Sequence, residues 1–289
     1  PFMIDQGLIN DENRYLVFEG LRAHPAQRYG ASEHGGRVDP ALAIDTYLNL
    51  FATLIRFHER PAGGAFLLCG IEPSSIRMRM PSKKELSEAQ YLGRLADGLW
   101  TPVFSDVSRA QRLNLLAGYR RVEHSPAYMA PEALPSVGEA GVIPGTFSTK
   151  SDVYALSLIL YTHLTGERPY AREGIYELEP KDAFRQLMNL KQSGVSPISD
   201  GKLLEIGAGA RMVVKLLHAA LEVDPAKRPN SKALFEKCCE LFVVEPGDKR
   251  GPAGFVYDDP TRGLALRQTY FPRTSADDPC YATPRPGVH

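Results

Sequence analysis

The stretch STKSDVYALSLILYTHLTG, Ser148 to Gly166, constrains this chain more than any other. It is apolar almost all the way round a helix, and such a helix has no face to offer water. Gly166 supplies a natural C-terminal cap, so the stretch reads as a helix buried on most sides rather than a membrane span. Asp152 falls near its start, where a carboxylate is costly unless it accepts hydrogen bonds. The rest of the chain has to supply the cover.

Several amphipathic segments can do so. ALAIDTYLNLFATLIRFHER places Ile44, Tyr47, Leu48, Phe51, Leu54, Ile55 and His58 at helical spacing, a broad apolar face. KDAFRQLMNLKQ, GARMVVKLLHAALEV and SKALFEKCCELF read as further helices, the last preceded by the Pro-rich break DPAKRPN. SKKELSEAQYLGRL opens with Ser82 and Glu85 in capping-box spacing, which predicts a helix start there. Short β-rich runs occur in NRYLVFEGL, on both sides of the Pro-Ser-Ser turn in GAFLLCGIEPSSIRMRM, and in TPVFSDVS. RAHPAQRYGASEHGGRVDP is dense in turn formers and reads as loop. The architecture is mainly α with a few short strands, and no internal repeat is visible.

The 289 residues allow one large domain with a tail, or two domains. Formal net charge is zero and no Lys/Arg run stands out, so nucleic acid and membrane surfaces receive no electrostatic support as partners. Cys69, Cys238, Cys239 and Cys280 show no C-x-x-C spacing, and the adjacent pair points to different faces of a helix. Free thiols in a reducing, intracellular compartment are expected, cytoplasmic or cytoskeletal, with an organelle matrix as the alternative. No run is long enough to insert in a membrane and no signal-peptide pattern opens the chain. Because it starts at Pro1, processing, excision from a precursor and Met trimming are all open. After Val244 the sequence turns rich in Pro, Gly, Asp and Arg, and such a tail cannot build its own core. It is either disordered or ordered against this domain or a neighbour.

Four signals in order carry a resemblance. They are NRYLVFEGL, then SPAYMAPE with Ala130, Pro131 and Glu132 as an A-P-E, then KSDVYALSLILYTHLTGERPY, then LLHAALEVDPAKRPN. In register, from about residue 12 to residue 243, they resemble the C-terminal lobe of the eukaryotic-type protein kinase family. The resemblance implies a short segment with a hinge-like strand over 1–21, a kinase-like lobe over 22–243 and an extended tail over 244–289. It implies that Glu132 pairs with Arg228, tying the A-P-E to the loop before the last helix. It also implies that Asp152 accepts from the backbone of the catalytic loop.

The chemistry of the family departs here. Where the family reads H-R-D-L-K-P-x-N, this chain reads LCGIEPSSI, with Pro73 and Ile76 anchoring the register. Leu68, Cys69 and Gly70 then occupy the H-R-D positions, Glu72 replaces the lysine and Ser75 replaces the metal-binding asparagine. Arg77 falls where the family has an apolar floor beneath adenine. SDVSRA keeps Asp106 at the D-F-G aspartate, read as a loop-capping residue or a weak cation ligand. About a dozen residues precede Asn13, and they hold no G-x-G-x-x-G and no V-A-I-K lysine. An N-lobe sheet is therefore expected to be essentially absent.

The expected function is a catalytically inactive, pseudokinase-like lobe without cofactor, serving as a scaffold or interaction subunit. Its partners are other proteins, met through the face left by the missing lobe and through the tail, where Phe255, Tyr257, Tyr270, Phe271 and Tyr281 offer anchors. The alternatives are a serine/threonine-type kinase fragment whose N-lobe lies elsewhere, or an allosteric regulator of an active kinase. RMPSKKELSEAQYLGRLADGLW and LPSVGEAGVIPGTF lengthen the lobe, as partner contacts or as tolerated surface insertions. Tyr119 and Ser125, before the A-P-E, are open to phosphorylation.

Overall fold

The computed structural model describes residues 3–9, 13–18, 23–25, 40–59, 65–79, 87, 101–105, 110–112, 126–138, 141–143, 145–206 and 210–240. At the centre lies the helix Thr149–Thr165. Ser148 caps it by accepting from Lys150 N, while the Ser151 hydroxyl takes the Ser148 N–H at 3.0 Å. Gly166 ends it at φ 71°, a left-handed turn that suits glycine, and its N–H reaches Thr162 O. Fourteen of the 17 residues are buried, so no face is left for solvent.

Among the described residues the cover comes from five other helices. In chain order they are α1 (Pro40–His58), the central helix as α2, α3 (Pro180–Gln192), α4 (Asp200–Leu204), α5 (Ala210–Ala220) and α6 (Ser231–Glu240). α1 packs its apolar face on α2 and α6. Ile44, Tyr47, Leu48, Phe51, Leu54 and Ile55, the residues at helical spacing, are all buried. Each such side chain stabilises by about 1.5–3 kcal/mol relative to exposure. α5 stops at Ala220, short of the expected Val223, although Leu221 N still bonds Leu217 O. The five-residue α4 was not anticipated; Ser199 starts it by accepting from Lys202 N. Among the described residues no helix is long and apolar enough to cross a membrane. Cys238 in α6 is a buried free thiol, as is Cys69.

Among the described residues the strands are short and lie in four small sheets. β1 (Met3–Ile9) and β2 (Asn13–Phe18) form an antiparallel hairpin in which Leu16 faces Gln6. β3 (Ala23–Pro25), β5 (Ile76–Arg79) and β6 (Thr101–Phe104) form a three-stranded sheet in the order β3-β5-β6. β3 corrects the expectation of loop throughout 22–40: three residues suffice for an edge strand, and Pro25 is tolerated at an edge. β4 (Phe66–Leu67) pairs with β7 (Gln111–Arg112). The lengthened stretch after the A-P-E contains a hairpin, β8 (Ser136–Gly138) with β9 (Gly141–Ile143). The helix expected from Ser82 lies, apart from the isolated Ser87, outside the described residues, as does the tail.

Candidate functional site

The segment between β4 and β5 is fixed from below by α2. Asp152 Oδ2 accepts from Leu68 N at 2.8 Å, and Oδ1 accepts from Cys69 N at 3.1 Å. These are charge-assisted bonds in a buried setting, strong enough to dictate the backbone. His58 of α1 brings Nε2 to 3.1 Å from Oδ2, and its Nδ1 lies 3.2 Å from Ser231 Oγ at the start of α6. In the neutral tautomer Nε2–H donates to the carboxylate and the Ser231 hydroxyl donates to Nδ1. One buried carboxylate thus joins four elements.

Held in this way, Cys69 adopts φ 55°, an uncommon conformation for a residue with a side chain, and Gly70 follows at φ 156°. The Cys69 thiol is pushed up to about 12 by burial, with the Asp152 charge adding to it. It stays protonated and is a poor nucleophile. Downstream, the Glu72 carboxylate takes the hydrogen bond of the Ser74 hydroxyl, and Glu72 N donates to Ser75 Oγ at 3.4 Å. Ser75 is 4% exposed and its carbonyl accepts from both Ser105 N and Ser105 Oγ. Both polar side chains are engaged in the turn Pro73–Ser75 itself. Arg77 is half-buried in β5, between Pro25 and Val103.

A second cluster surrounds Glu132, in the turn Pro131–Ala133. Arg228 Nη1 donates to Oε1 at 2.6 Å and Nη2 to Oε2 at 2.8 Å, a bidentate pair. The other donors reach main-chain oxygens: Nε to Glu222, Nη2 to Val223 and Nη1 to Lys150. All five N–H groups of the guanidinium have acceptors. Its carbon lies 4.8 Å from the Tyr154 ring centroid, and Lys150 Nζ returns a bond to Arg228 O. Ser151 Oγ donates to Glu132 Oε1 at 2.8 Å. The chain also comes back over this turn at Gly145, where an added Cβ would sit 2.0 Å from Ala133 O.

Sequence reasoning treated Lys191 as an ordinary residue at the end of α3, yet it is 1% exposed. Its Nζ donates to Ala127 O at 3.1 Å and Met129 O at 2.6 Å, just ahead of the A-P-E. The signal was its position one turn after the buried Leu187, on the same face. His58 was likewise read only as part of an apolar face, because its polar partners are distant in sequence.

The structure therefore brings Leu68, Cys69, Gly70 and Asp152 together, and separately Glu132 and Arg228, with adjacent residues of α2 touching each group. Asp106, Tyr119, Ser125, Phe255, Tyr257, Tyr270, Phe271 and Tyr281 lie outside the described residues.

Comparison with known proteins agrees with this arrangement. The protein kinase domain family model matches residues 104–239. The serine/threonine-protein kinase ULK3 of Mus musculus is 24% identical over 227 residues, covering 78% of this chain and 39% of the relative. Its Homo sapiens counterpart is 23% identical over 246 residues, covering 84% of this chain and 43% of the relative. The chain thus spans well under two thirds of the curated relatives it matches. Residues 104–239, which carry the A-P-E turn, the buried helix and the Arg228 loop, are thus the part of this chain that is similar to the protein kinase domain family.

Proposed function

We propose that this chain is a non-catalytic member of the family, a pseudokinase-like lobe that works by binding other proteins. The observation that carries this reading is Gly70. Asp152 accepts from the amides of Leu68 and Cys69, which supports reading Leu68, Cys69 and Gly70 at the H-R-D positions, with Gly70 where the family has its catalytic aspartate. The turn that follows does not fit a metal–nucleotide either. Glu72 puts negative charge where phosphate has to be stabilised, and the Ser75 hydroxyl accepts a bond inside its own turn. Protein binding is supported by large apolar side chains left open at Tyr176, Leu178 and Phe184, around a turn that packs on α3.

The second reading, an active serine/threonine kinase, is favoured by the likeness to the serine/threonine-protein kinase ULK3 of mouse and human. One experiment separates the two: thermal denaturation of the purified full chain with and without ATP and Mg²⁺, paired with a radiolabelled phosphotransfer assay on the native assembly. The scaffold reading expects no saturable shift and no label. A saturable shift accompanied by label transfer sinks it.

A further inference from the structure

We infer that Lys191 is a proton-operated latch on the segment leading into the A-P-E turn, holding Ala127 and Met129 when its amine is neutral and releasing them on proton uptake. Among the described residues Nζ has two hydrogen-bond acceptors, the carbonyls of Ala127 and Met129. A neutral amine carries two N–H groups and matches them one to one. An ammonium carries three, and among the described residues the third has no oxygen acceptor, the faces of Tyr154 and Tyr170 each lying 5.2 Å from Nζ to the centroid. Ring faces attract a cation more weakly than the water that a buried ammonium gives up. The neutral form is therefore the one that suits the closed site.

The charged and titratable groups facing Lys191 come from every element around it. Glu132, from the A-P-E turn, favours the charged form, whereas Arg228, from the loop before α6, opposes it. The Tyr154 and Tyr170 hydroxyls are bonded to each other at 3.4 Å, and burial raises both so that neither ionises near neutrality. Tyr128, between the two gripped carbonyls, is also raised by burial and bonds Thr162. Burial is the dominant influence on Lys191 and lowers it from 10.5 to about 7.

When the segment opens and water reaches the amine, the group returns to ordinary lysine behaviour and takes up a proton. Acidification from about 10.5 toward 7 therefore favours opening, by up to tenfold per pH unit, and the effect levels off below about 7.

Amide hydrogen exchange of the full chain, followed by mass spectrometry between pH 7 and 9, reads this directly. Intrinsic exchange speeds up about tenfold per unit with base catalysis, while latch opening slows by up to the same factor. Amides of residues 127–133 in the wild type should exchange at a nearly constant rate, and faster than those of α2, whose exchange needs wider unfolding. In Lys191→Met the constancy should vanish. Intrinsic slope at 127–133 in the wild type overturns the inference. So does one common rate for residues 127–133 and the core amides, since that reports global unfolding rather than local release. If Lys191→Met does not fold, ε-¹³C-lysine NMR of the wild type decides: one resonance with a midpoint near 7 supports the latch, and every lysine titrating above pH 9 defeats it.

Discussion

Ser151 and Asp152 are consecutive on the first turn of α2, yet they serve two different parts of the lobe. Ser151 Oγ donates to Glu132 of the A-P-E turn, and Asp152 accepts from the amides of Leu68 and Cys69. A single helical turn therefore fixes the spacing between these segments. Removing the carboxylate leaves two buried amides and His58 without their acceptor. Asp152→Ala should lose about 3–5 kcal/mol in urea unfolding, since each buried donor left without its acceptor costs about 1–3 kcal/mol. A loss under about 1 kcal/mol would show that water replaces the carboxylate.

Arg228 makes a comparable test of the second cluster. A lysine there has a rounder donor geometry and cannot span both oxygens of Glu132 while reaching Glu222, Val223 and Lys150. Arg228→Lys should cost about 2–4 kcal/mol of stability, much more than an exposed Arg-to-Lys change. A double-mutant cycle with Glu132→Gln should return a coupling energy above about 1 kcal/mol, and additivity would contradict the pairing.

Gly145 is constrained by space. Its missing Cβ would meet the carbonyl oxygen of Ala133 at 2.0 Å, and a backbone atom cannot swing aside as a long side chain can. Gly145→Ala should destabilise by about 1–3 kcal/mol or more. It should also raise exchange at the Thr146 amide, which donates to Glu132 O at 2.7 Å. Unchanged melting and exchange would mean that the turn relaxes freely.

How far the sequence speaks for the fold can be judged on these same residues. The helix from Ser148 to Gly166 is legible because both caps and the unbroken apolar character are local. α1 is legible for the same reason, its period being written into neighbouring residues. β1 was missed because MIDQGLI does not alternate and a bulge shifts its register between Met3 and Asp5. The Glu132–Arg228 pair came from resemblance alone, since no periodicity links residues that far apart. Lys191 was missed because a lysine near a helix end ordinarily points to water, and only tertiary packing closes over it.

His163 provides a pH test on the acid side. Its Nδ1 lies 3.1 Å from Tyr47 Oη, and Nε2 has no partner among the described residues. Burial pushes it down from 6.5 to about 4, so the unfolded chain binds a proton that the folded one refuses. Stability contributed by the neutral ring is complete above about 6.5 and is lost as pH falls toward 4, by up to tenfold in the unfolding constant per unit. His163→Phe should flatten the melting profile across that window. Parallel profiles for the two proteins would remove His163 as the cause.

Gly70 offers a chemical test of the proposed function. Its φ of 156° is one that side-chain-bearing residues rarely adopt, so a carboxylate there is strained as well as unsupported by Glu72 and Ser75. Gly70→Asp should leave ATP-dependent labelling at background. Labelling above background in this variant would show that the loop needs only that one group.

The saturation of Arg228 has a consequence for signalling. A guanidinium whose every N–H already has an acceptor cannot be recruited by an incoming phosphate or carboxylate unless Glu132 is evicted first. Such a node transmits nothing and simply keeps the lobe in one shape through changing conditions. Lys191 stands one tyrosine ring away and is the opposite kind of cation. Two carbonyls match the two N–H groups of its neutral form, so the proposed latch would make acid a signal that the A-P-E segment can read.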